Sequence, residues 1–217
     1  MGWLMSRLYD RMLQGAEDAG LSDWRRELLA SARGEVLEIG AGTGGNLALY
    51  PPAVSRLLLG EPDPHMREML RRKLGGRPEV EVLDAPAEAL PFPDGSFDTV
   101  VATLVFCSVE DPARVAAEIR RVLRSGGLFL FLEHVAAPAG TWTRRVQGAL
   151  EPVWKRIAGN CHLTRETGPL LEAAGFQLWP CIEAPLPGSA RLTARSIRGV
   201  ARPPVVTRGA RAGPGNP

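Results

Sequence analysis

From Glu35 to Leu132 the chain alternates short β-rich runs with helix-patterned stretches, which restricts its fold more than any other feature. Val36–Ile39, Leu57–Leu59, Val80–Leu83, Thr99–Thr103 and Leu128–Leu132 read as strands. Arg67–Leu74 and Pro112–Leu123 read as helices between them. Such alternation builds a parallel sheet, because each crossover helix returns the chain to start the next strand at the same end. Right-handed crossovers then cover both faces with helices. The expected fold is α/β, a Rossmann-like three-layer sandwich with a seven-stranded, mostly parallel sheet. A C-terminal antiparallel hairpin near residues 176–201 should complete it. The 217 residues suffice for one domain with a substantial core.

The flanks differ in character. Between Trp3 and Leu29, apolar residues recur at helical spacing: Leu4, Leu8 and Met12, then Trp24, Leu28 and Leu29. Gly20-Leu21-Ser22 interrupts this segment, with Ser22 read as an N-cap. Residues 1–34 are therefore expected to form a helical lid or cap, 35–201 the α/β domain, and 202–217 a disordered basic tail. No acidic residue follows Glu183, whereas Arg191, Arg195, Arg198, Arg202, Arg208 and Arg211 do. Without aromatic residues for base stacking, that region reads as solvated and not as a nucleic-acid surface. The net charge of +2 likewise identifies no polyanionic partner.

Cys107, Cys161 and Cys181 are scattered and odd in number, which fits a reducing cytoplasm. No run approaches the ~18 apolar residues of a membrane span, and no signal peptide is evident. The Trp3–Met12 face is compatible with peripheral membrane contact, although core packing explains it as well. Met1–Ser6 fits the bare myristoylation pattern, and equally a plain helix start.

The chemistry begins at Val36-Leu37-Glu38-Ile39-Gly40-Ala41-Gly42-Thr43-Gly44-Gly45-Asn46, which reads as a strand, a glycine turn and a helix. Glycine permits the turn and lets a ligand approach the backbone. Gly40, Gly42 and Gly45 satisfy the dinucleotide pattern G-x-G-x-x-G; Gly40, Gly42 and Gly44 satisfy E-x-G-x-G-x-G. A carboxylate at Glu38 opposes a pyrophosphate and suits the ammonium of S-adenosylmethionine. Glu61 follows the second strand about 20 residues past the turn, where a carboxylate accepts ribose hydroxyls. NAD and S-adenosylmethionine share that ribose, so Glu61 does not separate a dehydrogenase from a methyltransferase.

Four ordered segments carry a resemblance: Glu38–Gly44, Glu61-Pro62, Ala87–Asp98 and Leu123–Gly127. Together they resemble the motifs of class I S-adenosylmethionine-dependent methyltransferases, across about residues 35 to 135. Downstream, Leu132–Val135, Glu151–Lys155 and Cys161–Thr167 are similar to the methyltransferase-like 7 group, which includes thiol methyltransferases. The resemblance implies S-adenosylmethionine as cofactor and S-adenosylhomocysteine as product, with no metal. It implies cofactor contacts from Glu38, Gly40, Ala41, Gly42, Gly44, Glu61, Pro62, Met66, Ala87, Glu88 and Thr103. Pro86 departs from the acidic residue many relatives carry before Ala87, so Asp84 or Glu88 would have to meet the adenine. Leu123–Gly127 reads as a helix end with a left-handed glycine cap.

The acceptor side is less defined. His134, just past the fifth strand, lies at the edge where open α/β sheets bind ligands, and is the candidate catalytic residue. His162 and Arg165 are candidates for the acceptor pocket. Cys107 reads as a small buried apolar residue. Cys161-His162 lacks a second pair at metal-ligand spacing. The expected reaction is methylation of a small, apolar acceptor, a thiol before a quinone or other lipophilic metabolite methylated at carbon or oxygen. A non-catalytic module retaining the fold is the alternative from another class.

Overall fold

The computed structural model describes residues 14–75 and 79–204. Trp3, Leu4, Leu8, Met12, the myristoylation pattern, Arg208 and Arg211 lie outside them. Seven strands run β1 (Gly34–Ile39), β2 (Val54–Gly60), β3 (Val80–Leu83), β4 (Phe97–Thr103), β5 (Leu123–His134), β6 (Gln177–Pro185) and β7 (Arg195–Arg202). Their order is β3-β2-β1-β4-β5-β7-β6. The first five pair in parallel, while β7 is antiparallel to both β5 and β6. This is the mostly parallel sheet with a terminal hairpin expected from the sequence.

Alternation along each strand sorts side chains onto two faces. Leu37, Ile39, Val100, Phe129 and Phe131 pack in one buried layer with Val115, Ile119 and Val122 of helix α3 (Pro112–Val122). Val36, Leu57, Leu59, Val101 and Leu130 pack in the other with helices α1 (Ser22–Leu29) and α2 (Pro64–Leu74). Prolines and carboxylates start two of these helices. The Asp63 side chain accepts from His65 N and Met66 N ahead of Pro64, and Asp111 accepts from Arg114 N ahead of Pro112.

Several local expectations fail. Ser22 is not an N-cap: the helical path continues from a π-helical turn at Glu17–Leu21, and Ser22 Oγ donates to Glu17 Oε2 at 2.7 Å. The break comes from Gly20, whose φ is +115°. Leu123–Gly127 is not a glycine-capped helix end. Leu123 is already extended and opens β5, and Gly126 takes its left-handed φ of +78° where the β4–β5 register shifts.

Two helices went unread, α4 (Trp142–Ile157) and α5 (Thr167–Ala173). A Thr141 cap marks the start of α4, with Thr141 Oγ1 accepting from Arg144 N at 3.2 Å. Arg195 and Arg198 are not solvated charges. Arg195 forks onto Glu183 at 2.6 and 2.7 Å, and Arg198 sits 4.0 Å over the Trp24 ring while pairing with Glu27. They join β7 to β6 and to α1.

Register brings the carboxyl ends of the central strands level. Ile39 lies opposite Gly60 and Ala102, and Thr103 opposite Leu132. That edge is where open α/β sheets take ligands.

Candidate active site

At the end of β1 the chain enters the glycine turn. Gly40 has φ +60°, and a Cβ there would lie 2.7 Å from Val105 Cγ2. Gly42, with φ +57°, faces open space. Its bare backbone is thus a surface a ligand can approach. The helix expected beyond the turn does not form. Residues 42–49 make successive turns, with Leu47 N bonding Gly44 O and Leu49 N bonding Asn46 O. Pro51 and Pro52 come next and prevent a longer helix.

Beneath the turn lies a buried polar cluster. Glu38 accepts from Asn46 Nδ2 at 2.9 Å and from the Tyr50 hydroxyl at 2.7 Å. Arg25 reaches in from α1, donating to Asn46 Oδ1 and Thr103 Oγ1, each at 2.9 Å, and to Glu17 Oε1 at 3.0 Å. A cavity opens above, walled by Glu38, Gly42, Thr103, Arg25, Glu17 and Lys73, among others. Glu61, at the tip of β2, is buried. It accepts from Gly42 N and Asp63 N, both at 2.8 Å.

Burial sets the charge states here. It pushes Glu38 up to about 7, against the lowering effect of Tyr50, Asn46 and Arg25. It raises Glu61 as well, against its two backbone donors. Glu133 is pushed to about 8 by burial, although Val105 N and Phe106 N donate to it. Such acids hold their proton longer in the folded chain than in the unfolded one. Their contribution to stability is complete below the ordinary value of 4.5 and is lost as pH rises through 7 and 8. The free energy of unfolding should therefore fall between pH 5 and 8.5, by on the order of 3 kcal/mol for Glu38 and about 5 kcal/mol for Glu133. Urea titrations across that range would check it. Glu38→Gln and Glu133→Gln should flatten the slope, and a flat wild-type profile would contradict it.

The structure gathers Glu38, Gly40, Ala41, Gly42 and Thr103 around the cavity, with Glu61 bonded to its glycine wall. Gly44 continues the turn, and Met66 is buried in the first turn of α2. Pro62 is exposed and Ala87 buried. Neither substitute for the missing acidic residue is uncommitted. Asp84 pairs with Arg67 at 2.9 Å, and Glu88 accepts from Glu110 N at 3.1 Å.

His134 ends β5 and is buried, with both ring nitrogens lacking a well-formed hydrogen bond. His162 Nδ1 lies 3.2 Å from Glu151, and Arg165 donates to Val109 O at 2.8 Å. Neither lines the cavity. Among the described residues, Arg165 forms no carboxylate pair of the kind a helix-start arginine would suggest. Sequence reading missed Arg25, Asn46, Tyr50 and Lys73. Arg25 stands beside Arg26 between Trp24 and Leu28 on an amphipathic helix, and only its place on the apolar face could have singled it out. Cysteines that look scattered in sequence are also brought together: His162 N donates to Cys107 O at 2.7 Å, which sets Cys161 beside the Cys107 backbone. Among the described residues, no group of three or more His, Cys, Asp or Glu is arranged to hold a metal ion. None of their helices is long and apolar enough to cross a membrane.

A doubly wound sheet with this strand order, and an acid-flanked glycine turn at its ligand edge, defines the class I methyltransferase architecture. A family model described as a methyltransferase domain matches residues 37–131. The human thiol S-methyltransferase TMT1B is 44% identical over 151 residues, covering 68% of this chain and 62% of that protein. Human TMT1A is 39% identical over 162 residues, covering 72% and 66%. The matched segment thus spans slightly under two thirds of these relatives' lengths.

Among solved structures, the [4+2]-cyclase SpnF superposes with a TM-score of 0.67 at 19% identity, covering 86% of this chain and 81% of its own. A methyltransferase from Thermotoga maritima gives 0.63 at 24%, covering 92% and 96%. These two likenesses concern the fold. The chain belongs to the class I S-adenosylmethionine-dependent methyltransferases.

Proposed function

We propose that the protein transfers the methyl group of S-adenosylmethionine to a small thiol. The observation that carries this reading is the similarity to thiol S-methyltransferases, which extends over 151 residues at 44% identity and 162 residues at 39%. The residues present suit the cofactor: open space over Gly42 leaves backbone to pack on the methionine portion. The Gly40, Ala41, Gly42 and Gly44 turn would form that wall, and Glu38 would hold the ammonium. Arg25 and Lys73 supply positive charge for the carboxylate. Glu61 keeps lone pairs beyond its two backbone bonds for the ribose hydroxyls. Pro62 and Met66 would flank the adenine, and Ala87 and Glu88 would meet its edge, Glu88 beside its bond from Glu110 N.

When bound, the cofactor supplies an electrophilic methyl on a sulfonium. Transfer is an in-line displacement, so the chain's main task is alignment at close range. His134, buried with unsatisfied nitrogens at the end of β5, would accept the proton of the incoming thiol. His162 and Arg165 would shape the acceptor side by holding the segment between α4 and α5. Residues 1–34 would act as the lid. Gln14, Glu17, Ser22 and Arg25 already wall the cavity, which supports that role.

Incubation with labelled S-adenosylmethionine and a panel of alkyl thiols, quinones, phenols and amines tests the proposal. Labelled thioether from the thiols is expected. Product only from quinones or phenols would replace the thiol with a lipophilic carbon or oxygen acceptor. Absence of cofactor binding would leave a non-catalytic module.

A further inference from the structure

One cluster on the acceptor side has no part in the cofactor site. The segment 158–165 between α4 and α5 is fastened to the loop after β4 by three hydrogen bonds. Asn160 Nδ2 donates to Ser108 O at 2.8 Å, His162 N to Cys107 O at 2.7 Å, and Arg165 NH2 to Val109 O at 2.8 Å. This fastening sets Cys161, which is partly exposed, against Cys107, which is buried. Around them lie two polar side chains lacking proper partners, His134 at both ring nitrogens and Trp154 at its indole N–H. The imidazole and the indole both face the Cys161 sulfur, without a well-formed hydrogen bond from either.

The two thiols differ in character. The contact from Cys107, then the His134 imidazole and the Trp154 N–H, hold the Cys161 thiol well below its ordinary range. The same contact, followed by burial, pushes Cys107 up. An accessible thiolate beside a buried partner thiol is the arrangement in which one sulfur reacts and the other resolves.

We propose that Cys107 and Cys161 form an intramolecular redox pair, oxidised by a peroxide to a disulfide that fastens segment 158–165 to the loop after β4. The Cys161 thiolate attacks one peroxide oxygen, the O–O bond breaks, and the departing hydroxide leaves as water with the proton Cys161 gave up, so that Cys107 keeps its own for the second water. Cys107 sulfur then attacks the resulting sulfenic sulfur, forming the S–S bond and releasing a second water. Overall, one peroxide and two thiols give one disulfide and two waters.

The consequence for activity rests on the methyltransferase reading. The loop after β4 carries Val105, packed on Gly40, and its Val105 and Phe106 N–H groups are held by Glu133. Covalent fastening beside it repositions the acceptor side, while Glu61 and Glu38 lie elsewhere and keep the cofactor.

Full-length protein treated with hydrogen peroxide, then alkylated, digested and analysed by mass spectrometry, tests the pairing. A peptide pair linking Cys107 to Cys161, lighter by two hydrogens, is expected, with exposed Cys181 still alkylated. With Cys107→Ser, Cys161 should gain oxygen and form no internal link. With Cys161→Ser, Cys107 should stay reduced at the same dose. Wild-type Cys161 that gains oxygen while Cys107 remains alkylatable overturns the pairing, as does a link through Cys181.

The oxidised protein should bind labelled S-adenosylmethionine as before, yet turn over a thiol acceptor at least about tenfold more slowly. A phosphine should restore the rate, and unlike a thiol reductant it is not an acceptor of the proposed class. Unchanged turnover after complete disulfide formation overturns the fastening effect. Cofactor binding by neither form would instead remove the methyltransferase reading, while the linked peptide would still establish the pair.

Discussion

Glu61→Ala is expected to weaken S-adenosylmethionine binding by about 100-fold or more, in equilibrium dialysis with labelled cofactor. The carboxylate is fixed at the tip of β2 by Gly42 N and Asp63 N, each at 2.8 Å. In the proposed reading its remaining lone pairs accept the ribose hydroxyls of a nucleoside seated on the glycine turn. Hydrogen bonds to a charged acceptor contribute about 1.5–3 kcal/mol each, so losing two of them exceeds two decades in affinity. Glu61→Gln keeps one acceptor oxygen and should fall between alanine and wild type. Loss of fold is not the expected cause, because Gly42 faces open space and water can meet its N–H. Adenosine should show the same loss, since the contact lies on the ribose. Unchanged affinity in the alanine variant would remove the ribose assignment.

The sheet was legible because near-continuous apolar runs such as Val36–Ile39 and Thr99–Thr103 bury both faces, as the strands of a parallel layer covered by helices do. The glycine turn was legible because its backbone needs positive φ at Gly40 and Gly42. Residues 46–49, just beyond that turn, were not legible. Their sequence suggests a helix after Gly45, yet Asn46 spends its side chain on Glu38 and Thr103, and its backbone closes short turns.

Long-range polar partners were equally hidden. Arg25 meets Thr103 from 78 positions away, and no local pattern encodes that pairing. The same limit applied to Cys107 and Cys161, 54 positions apart, which scattered spacing made look unrelated. They meet only because Asn160, His162 and Arg165 fasten one loop to another. His134 was legible as a strand-end residue, whereas its burial without partners needed the fold.

Glu133 shows the same hidden logic with the largest expected effect on stability. Read in sequence, it is one acidic residue between Leu132 and His134. In the fold it is wholly buried, with Oε1 accepting from Val105 N at 3.0 Å and Oε2 from Phe106 N at 3.1 Å. Those two N–H groups belong to the loop after β4, where Leu104 adopts an unfavourable φ of +60°. The side chain therefore holds a strained connection in place from the neighbouring strand.

Glu133→Ala leaves two buried donors without acceptors, at about 1–3 kcal/mol each, and opens a small cavity. Urea unfolding should show a total loss of about 3–5 kcal/mol, the sum of those two penalties and the cavity cost. Glu133→Gln retains one acceptor oxygen but turns an amide N–H toward the second donor, so roughly half that loss is expected. The ordering of alanine below glutamine below wild type is the discriminating result, because a purely electrostatic role would make the two variants equal. Equal stabilities for glutamine and wild type would show that the loop keeps its shape without this carboxylate.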